Sequence, residues 1–350
     1  MHTARAVHDR PYSNSAWSVK NVAVAETRRV TMIPATAAVL VGQSATTWRM
    51  TMLVHHLPRW LPRSSLLALP FTLVSLSGCV GPGIAPDEPL ALPLSLMFTD
   101  LPDLGADYVY EGWLIVDEAP VATGRFSVTP EQQNVEVQLD RDTFAAATTF
   151  VLTIEPAFGD DPAPSAVHLL AGDIDNSGKA NLSTAHPAAL GTDFATAMGG
   201  YLLETPTSAD EGDYDQGLWF LDVAGGPGPS LALPPLPEGW VYEGWVVIDD
   251  TPTSTGRFTD VGAADDDGAG PSAGPNAAPP FPGQDFISPA RTVVGGTVVI
   301  SVEPEPDNSP MPFALKPLVD DVVEDVGAGV LQPMGTNAGL PLGIAELGAR

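Results

Sequence analysis

Apolar residues along this chain gather in short runs rich in aromatic and β-branched side chains, each closed by Gly, Pro, Asp or Asn. "YVYEGWLIV" from Tyr108 and "WVYEGWVVI" from Trp240 are apolar on both faces, the pattern of a strand buried inside a sheet. "TFVLTIEP" and "GTVVISVEP" read as further strands that stop at a proline. "GGYLLETPT" and "GLWFLDV" supply strands between them. No convincing 3.6-residue periodicity accompanies these runs. The pattern predicts an all-β chain of short strands and turns, built as two tandem β-sandwich repeats of Ig-like type.

The tandem arrangement comes from a repeat. "YEGWLIVDEAPVATGRF" at Tyr110 returns 132 residues later as "YEGWVVIDDTPTSTGRF" at Tyr242. The likeness extends forward to "LTIEP" against "ISVEP" at an offset of 148, so the second copy has gained sixteen residues. They fall within "DVGAADDDGAGPSAGPNAAPPFPGQDF", a loop by composition. The first repeat is placed over 95–205, the second over 216–325, and a flexible tail over 326–350. Inside the phrase, "VDEAPV" and "IDDTPT" are turn signals between apolar runs. A turn centred on Glu118 sets Trp113 opposite Thr123 and Glu111 opposite Arg125, and the second copy repeats this with Glu243 and Arg257. Opposite charges across a strand pair contribute roughly 0.2–1 kcal/mol. A structural pair in each repeat is the expected role; the alternative is an arginine that grips an anionic ligand.

Charge changes the picture at the front of the chain. Up to residue 78 there are eight Lys/Arg and two Asp/Glu; from Cys79 onward there are seven Lys/Arg and 41 Asp/Glu. A surface this negative repels phosphate backbones, which argues against nucleic acid as a partner. "RWLPRSSLLALPFTLVSLSGC", Arg59 to Cys79, has the charged, apolar and small-residue layout of a secretory signal, and its apolar part is too short to span a bilayer. Its end, Leu76-Ser77-Gly78-Cys79, resembles the lipobox of bacterial lipoproteins. Cys79, the single cysteine, is therefore expected to carry the lipid, with residues 50–78 as signal and 79–94 as a Pro/Gly tether. Residues 1–49 are expected to be a disordered extension or an over-long start. The chain is placed in a bacterial cell envelope, lipid-anchored, periplasmic or on the cell surface.

Candidate chemistry is sparse. The two histidines beyond Cys79, His168 and His186, have no cysteine beside them to make a zinc set. "GPSAG" at Gly270–Gly274 spells a serine-hydrolase elbow but lacks the strand and helix that would make Ser272 a nucleophile. "DIDNSGKANLST" starts like a calcium loop at Asp173, Asp175, Ser177 and Gly178. Thr184 stands where a bidentate glutamate belongs, and Lys179 puts a cation inside, so a turn is the expected structure. Asp265-Asp266-Asp267 reads as a solvated loop, with a weak cation site as the alternative. No catalytic residue, metal set or cofactor is assigned.

The strand and turn motifs resemble the extracytoplasmic C-terminal domain of the anti-sigma-K factor family. Tyr110, Trp113, Pro120, Gly124, Phe126, Glu155, Pro156 and Leu170-Ala171-Gly172 match its pattern. Tyr242, Trp245, Pro252, Gly256, Phe258, Glu303 and Pro304 match in the second copy, whose ending "PLVDD" departs from it. Members that capture a sigma factor do so through a cytoplasmic zinc-binding domain with a His-x-x-x-Cys-x-x-Cys motif and a membrane helix, and neither is found in this sequence. The resemblance implies a non-enzymatic envelope protein that senses or regulates by contact with another envelope protein rather than by direct sigma-factor binding. The alternative is a surface module that binds a cation or glycan.

Overall fold

The computed structural model describes residues 91–306, 309–337 and 339–348. The expected signal, Cys79 and all of the expected tether before residue 91 lie outside them. The first repeat contains β1 (Ala91–Thr99), β2 (Tyr108–Val116), β3 (Ala119–Phe126), β4 (Asn134–Asp140), a short helix α1 (Arg141–Ala146), β5 (Ala147–Pro156), β6 (His168–Asp173) and β7 (Lys179–Leu182). The connection holds β8 (Met198–Leu203), β9 (Gly217–Trp219), β10 (Leu221–Asp222), β11 (Gly228–Pro229) and β12 (Leu231–Ala232). The second repeat contains β13 (Trp240–Ile248), β14 (Thr251–Phe258), β15 (Gly283–Asp285), β16 (Thr297–Pro304), β17 (Leu318–Asp320), β18 (Gln332–Pro333) and β19 (Gly335–Thr336), followed by β20 (Leu342–Leu347). The all-β class expected from the apolar runs is what the chain adopts.

The sheets pair into sandwiches. In the first, the order β4-β1-β20-β7 faces the order β3-β2-β5-β6. Phe98 of β1 stacks on Phe126 of β3 across the gap, ring centroids 5.7 Å apart. In the second, β14-β13-β16-β17-β19 faces β12-β8-β9-β15, with β18 also on β8. There the Phe220 ring lies so close under β13 that a Cβ on Gly244 would sit 2.8 Å from it. Glycine at that place of the repeated phrase is required by close approach.

The strand order also shows an exchange that the linear repeat conceals. β20, from the end of the chain, is the interior strand between β1 and β7 of the first sandwich, with Thr99 opposite Leu342 and Leu182 opposite Gly343. In the second sandwich the same place is taken by β8, which follows the first repeat: Leu231 stands opposite Gly199, and Pro333 opposite Gly200. Leu231 lies 132 residues beyond Thr99, the offset of the repeated phrase. Each repeat is thus completed by the strand that trails the other. The exchange is favourable because β20 alternates its faces. Gly343, Ala345 and Leu347 are buried opposite Phe98, Leu96 and Leu94, and Gly343 leaves room for the Phe98 ring. Buried side chains of both repeats consequently form one continuous apolar cluster.

Three expected boundaries need correction. The region expected as a flexible tail holds β18, β19 and β20, because the first sandwich lacks an interior strand without it. The region expected as tether already enters β1 at Ala91. β8, expected within the first repeat, pairs in the second sandwich.

A charge placed in β20 is expected to unfold the first sandwich rather than fray a tail. Ala345→Asp should cost about 3 kcal/mol or more. By hydrogen exchange, protection should fall first in β1, β4 and β7. Leu203→Asp in β8 should instead strip protection from β12 and β18, far along the sequence.

Candidate functional site

The repeated phrase forms the same hairpin twice. Asp117 and Glu118 have φ of 49° and 66°, and Asp249 and Asp250 have 51° and 58°. Two consecutive left-handed residues define the tight type I′ turn. The turn centre lies between Asp117 and Glu118, so Trp113 stands opposite Ala122 rather than the expected Thr123. Thr123 is the extra residue of a bulge, and Thr255 takes the same place. The bulge shifts the register by one, which brings Glu111 opposite Arg125 and Glu243 opposite Arg257. Gly124 and Gly256, with φ of 131° and 101°, supply the backbone bend beside it.

The two arginines then diverge. Arg125 places Nε 3.7 Å from Glu111 Oε2 and Nη2 3.5 Å from Asp160 Oδ2, and also donates to the Pro156 carbonyl. Burial pushes the Glu111 carboxyl up; Arg125 draws it down, while Glu155 and Asp160 push it up again. Arg257 also holds Asp266, with Nη2 2.9 Å and Nε 3.0 Å from Oδ2 and its own N–H donating to Oδ1. Asp266 belongs to the segment only the second repeat has gained. Glu243 accepts from the Ser254 hydroxyl and still acts on Arg257 through its charge.

Behind each hairpin lies a buried relay that sequence reading did not single out. Trp113 Nε1 donates to Thr153 Oγ1 at 2.9 Å, Thr153 donates to Glu155 Oε1, and the Ser165 N–H donates to that same oxygen at 2.9 Å. In the second repeat Trp245 Nε1 donates to Ser301 Oγ at 2.8 Å, Ser301 to Glu303 Oε1, and the Phe313 N–H to that oxygen at 2.8 Å. Thr153, Glu155, Ser301 and Glu303 are each at most 1% exposed. The tyrosines recur as well: Tyr110 Oη donates to the Pro102 carbonyl at 2.7 Å and Tyr242 Oη to the Pro234 carbonyl at 2.6 Å. These contacts clamp strands, and a buried donor or acceptor left without its partner costs about 1–3 kcal/mol. The sequence signal was the Glu before Pro in both copies, coupled to a hydroxyl two residues earlier.

The other candidates fall out by geometry. Asp175 Oδ1 accepts the Ser177 N–H, the Ser177 hydroxyl and the Lys179 N–H, so its own turn uses that oxygen. Gly178 has φ of 82°, and Asp173 faces His186 Nε2 at 3.3 Å. Ser272 lies in a turn, its carbonyl accepting from the Ile287 and Ser288 N–H groups. The solvated-loop reading is corrected for Asp265 alone, since Asp266 and Asp267 are exposed. Asp265 is only 9% exposed, wedged against Gly256, and its Oδ2 accepts the Gly283 N–H at 2.8 Å. The gained segment folds back on the body instead of projecting: the Gly274 N–H donates to Thr207 Oγ1 at 2.7 Å, and Ala269 and Phe281 pack with Trp219 and Leu221. Burial, with Asp267 beside it, pushes Asp265 up to about 7, and burial raises Asp267 also. Among the described residues no group of three or more His, Cys, Asp or Glu is gathered to hold a metal, and no helix is long and apolar enough to cross a membrane.

Comparison with known families finds one match. The family model "Anti-sigma-K factor rskA, C-terminal" matches residues 92–168, from β1 to the first residue of β6. The first hairpin and the Trp113–Thr153–Glu155 relay lie inside it; the second repeat lies outside. The chain is thus similar to an anti-sigma-factor-type regulatory domain over that region. No curated protein matches the chain, and no solved structure does.

The relays and the buried acid each carry a measurable expectation. Thr153→Val and Ser301→Ala each remove the hydroxyl between a buried indole N–H and a buried carboxyl. Each should cost about 1–3 kcal/mol in urea unfolding, and by similar amounts if the relays are equivalent. The second expectation concerns pH. A carboxyl raised above its unfolded value binds its proton more tightly in the folded state, so its stabilising effect is complete below about pH 4 and is lost as pH rises toward 7. Asp265→Asn should flatten the fall in melting temperature between pH 4 and 7, measured by calorimetry.

Proposed function

We propose that this protein is a non-enzymatic extracytoplasmic lipoprotein that carries two anti-sigma-factor-like β repeats and acts in envelope sensing or regulation through contact with another envelope protein. The observation that carries the reading is the family match over 92–168, together with the return of its hairpin, relay and tyrosine contact in the second repeat. The signal layout ending at Cys79 supports lipid attachment outside the cytoplasm. The strongly acidic composition beyond Cys79 disfavours nucleic acid. A buried relay built of Trp, hydroxyl and Glu is scaffold chemistry, with no exposed nucleophile or base, so a contact surface rather than a reaction is the reading it favours.

The test has two arms. Metabolic labelling with palmitate should mark the chain, Cys79→Ala should abolish the label, and the variant should leave the membrane fraction. In-cell cross-linking should then join the anchored chain to an envelope protein. If the chain is unlabelled, or if calorimetry finds a small ligand while cross-linking finds no protein, the reading fails.

A further inference from the structure

The repeats differ most beyond their last shared strand. After β6 the first repeat makes the tight Asp175 turn and carries Lys179. After β17 the second runs "DDVVEDVGAGVLQP" from Asp320, and this segment walls a groove of about 590 Å³. Val322, Val326 and Leu331 line it and are 51, 44 and 43% exposed. Asp320, Asp321 and Glu324 stand with them, and no Lys or Arg is among the lining residues.

The groove is a built part of the fold. Tyr201 Oη donates to Asp320 Oδ2 at 2.6 Å, the Glu324 N–H to Gln332 Oε1 at 3.0 Å, and the Gly329 N–H to the Leu203 carbonyl at 3.0 Å. Tyr214 Oη holds Asp325 Oδ1 at 2.7 Å from the side. Two of these anchors, Tyr201 and Leu203, sit on the exchanged strand β8. The groove is thus tied to the interlocked strand.

We infer that this groove docks an extended segment of a partner protein in which Lys or Arg alternates with aliphatic residues. Clustered aliphatic side chains in a concave surface mark a site that gains by being covered. The carboxylates around them, with no cation among the lining residues, decide the sign of the partner: a neutral or acidic segment would meet like charge or leave Asp321 and Glu324 desolvated and unpaired. An extended strand sends successive side chains to opposite faces, so one face can supply aliphatic groups to Val322, Val326 and Leu331 while cations reach the rim. This deepens the protein-contact reading and rests on it only in giving the chain a protein partner.

The test is a fluorescence-anisotropy titration of the full chain with a labelled ten-residue peptide of alternating lysine and valine. Saturable one-to-one binding that weakens with added salt is expected. Val322→Ser with Val326→Ser keeps the charge and should weaken it about tenfold or more, and Asp321→Asn with Glu324→Gln should do the same. Asp142→Asn with Asp161→Asn, acidic positions elsewhere, should leave it unchanged. The inference is overturned by equal binding of the serine variant, which would mean generic attraction to an acidic surface, by equal binding of a glutamate–valine peptide, or by no binding. It is also overturned if the full chain fails to bind while the chain from Cys79 onward does, since the basic front of the chain would then be the occupant. Peptide binding without any envelope partner in cells would sink the regulatory reading and leave the groove standing.

Discussion

An interior strand of a sheet must be hydrogen-bonded along both edges, and this constraint organises the whole molecule. β20 meets it in the first sandwich and β8 in the second, each drawn from beyond the other repeat. Removing either would expose two rows of backbone N–H and C=O groups and open an apolar layer to water. The repeats are therefore mutually dependent, which is why the main apolar cluster spans both of them where two separate cores would be expected of tandem domains. The exchange also brings the first and last described strands together: Leu94 stands opposite Leu347, and the Gly348 N–H donates to the Pro93 carbonyl at 2.8 Å.

Within that frame, the repeated and the unrepeated parts do different work. The I′ turn, the threonine bulge, the tyrosine hydroxyl and the Trp–hydroxyl–Glu relay all recur with nearly the same geometry. All are local or bury their polar atoms, so they hold strands in register whichever repeat they serve. The differences fall at the rim: the gained segment that captures Arg257, and the acidic run after β17 that replaces a compact turn.

Much of the local structure was legible in the sequence because its causes are local. Continuous runs of aromatic and β-branched residues mark β2, β5, β13 and β16, and the Asp- and Pro-bearing "VDEAPV" and "IDDTPT" mark the turns. Glu111 and Arg125 were set opposite each other from a turn centre half a residue off, and the bulge at Thr123 supplied the compensating shift. The exchange was not legible. "LGIAEL" is a short strand of small and aliphatic residues, and nothing in it says which of two similar edges it will join. Asp265 was misread for a related reason: three adjacent acids in a Gly/Ala segment look solvated, and only the folded-back chain reveals that Gly256 makes room for one of them.

The fate of the two arginines shows how little a repeated motif says about a repeated site. Both occupy the same register position opposite a glutamate, yet Arg125 divides itself between Glu111 and Asp160 while Arg257 gives both donors to Asp266. The gained segment gives Arg257 a carboxylate oxygen within reach of both Nε and Nη2 at 2.9–3.0 Å, which the first repeat does not offer Arg125. A gripping role for either arginine would require it to release neighbours it already holds. Recognition is then better sought where the second repeat has added exposed aliphatic and acidic groups that the first repeat lacks. On that argument the duplicated phrase is framework, and the proposed recognition falls to residues that the duplication did not keep.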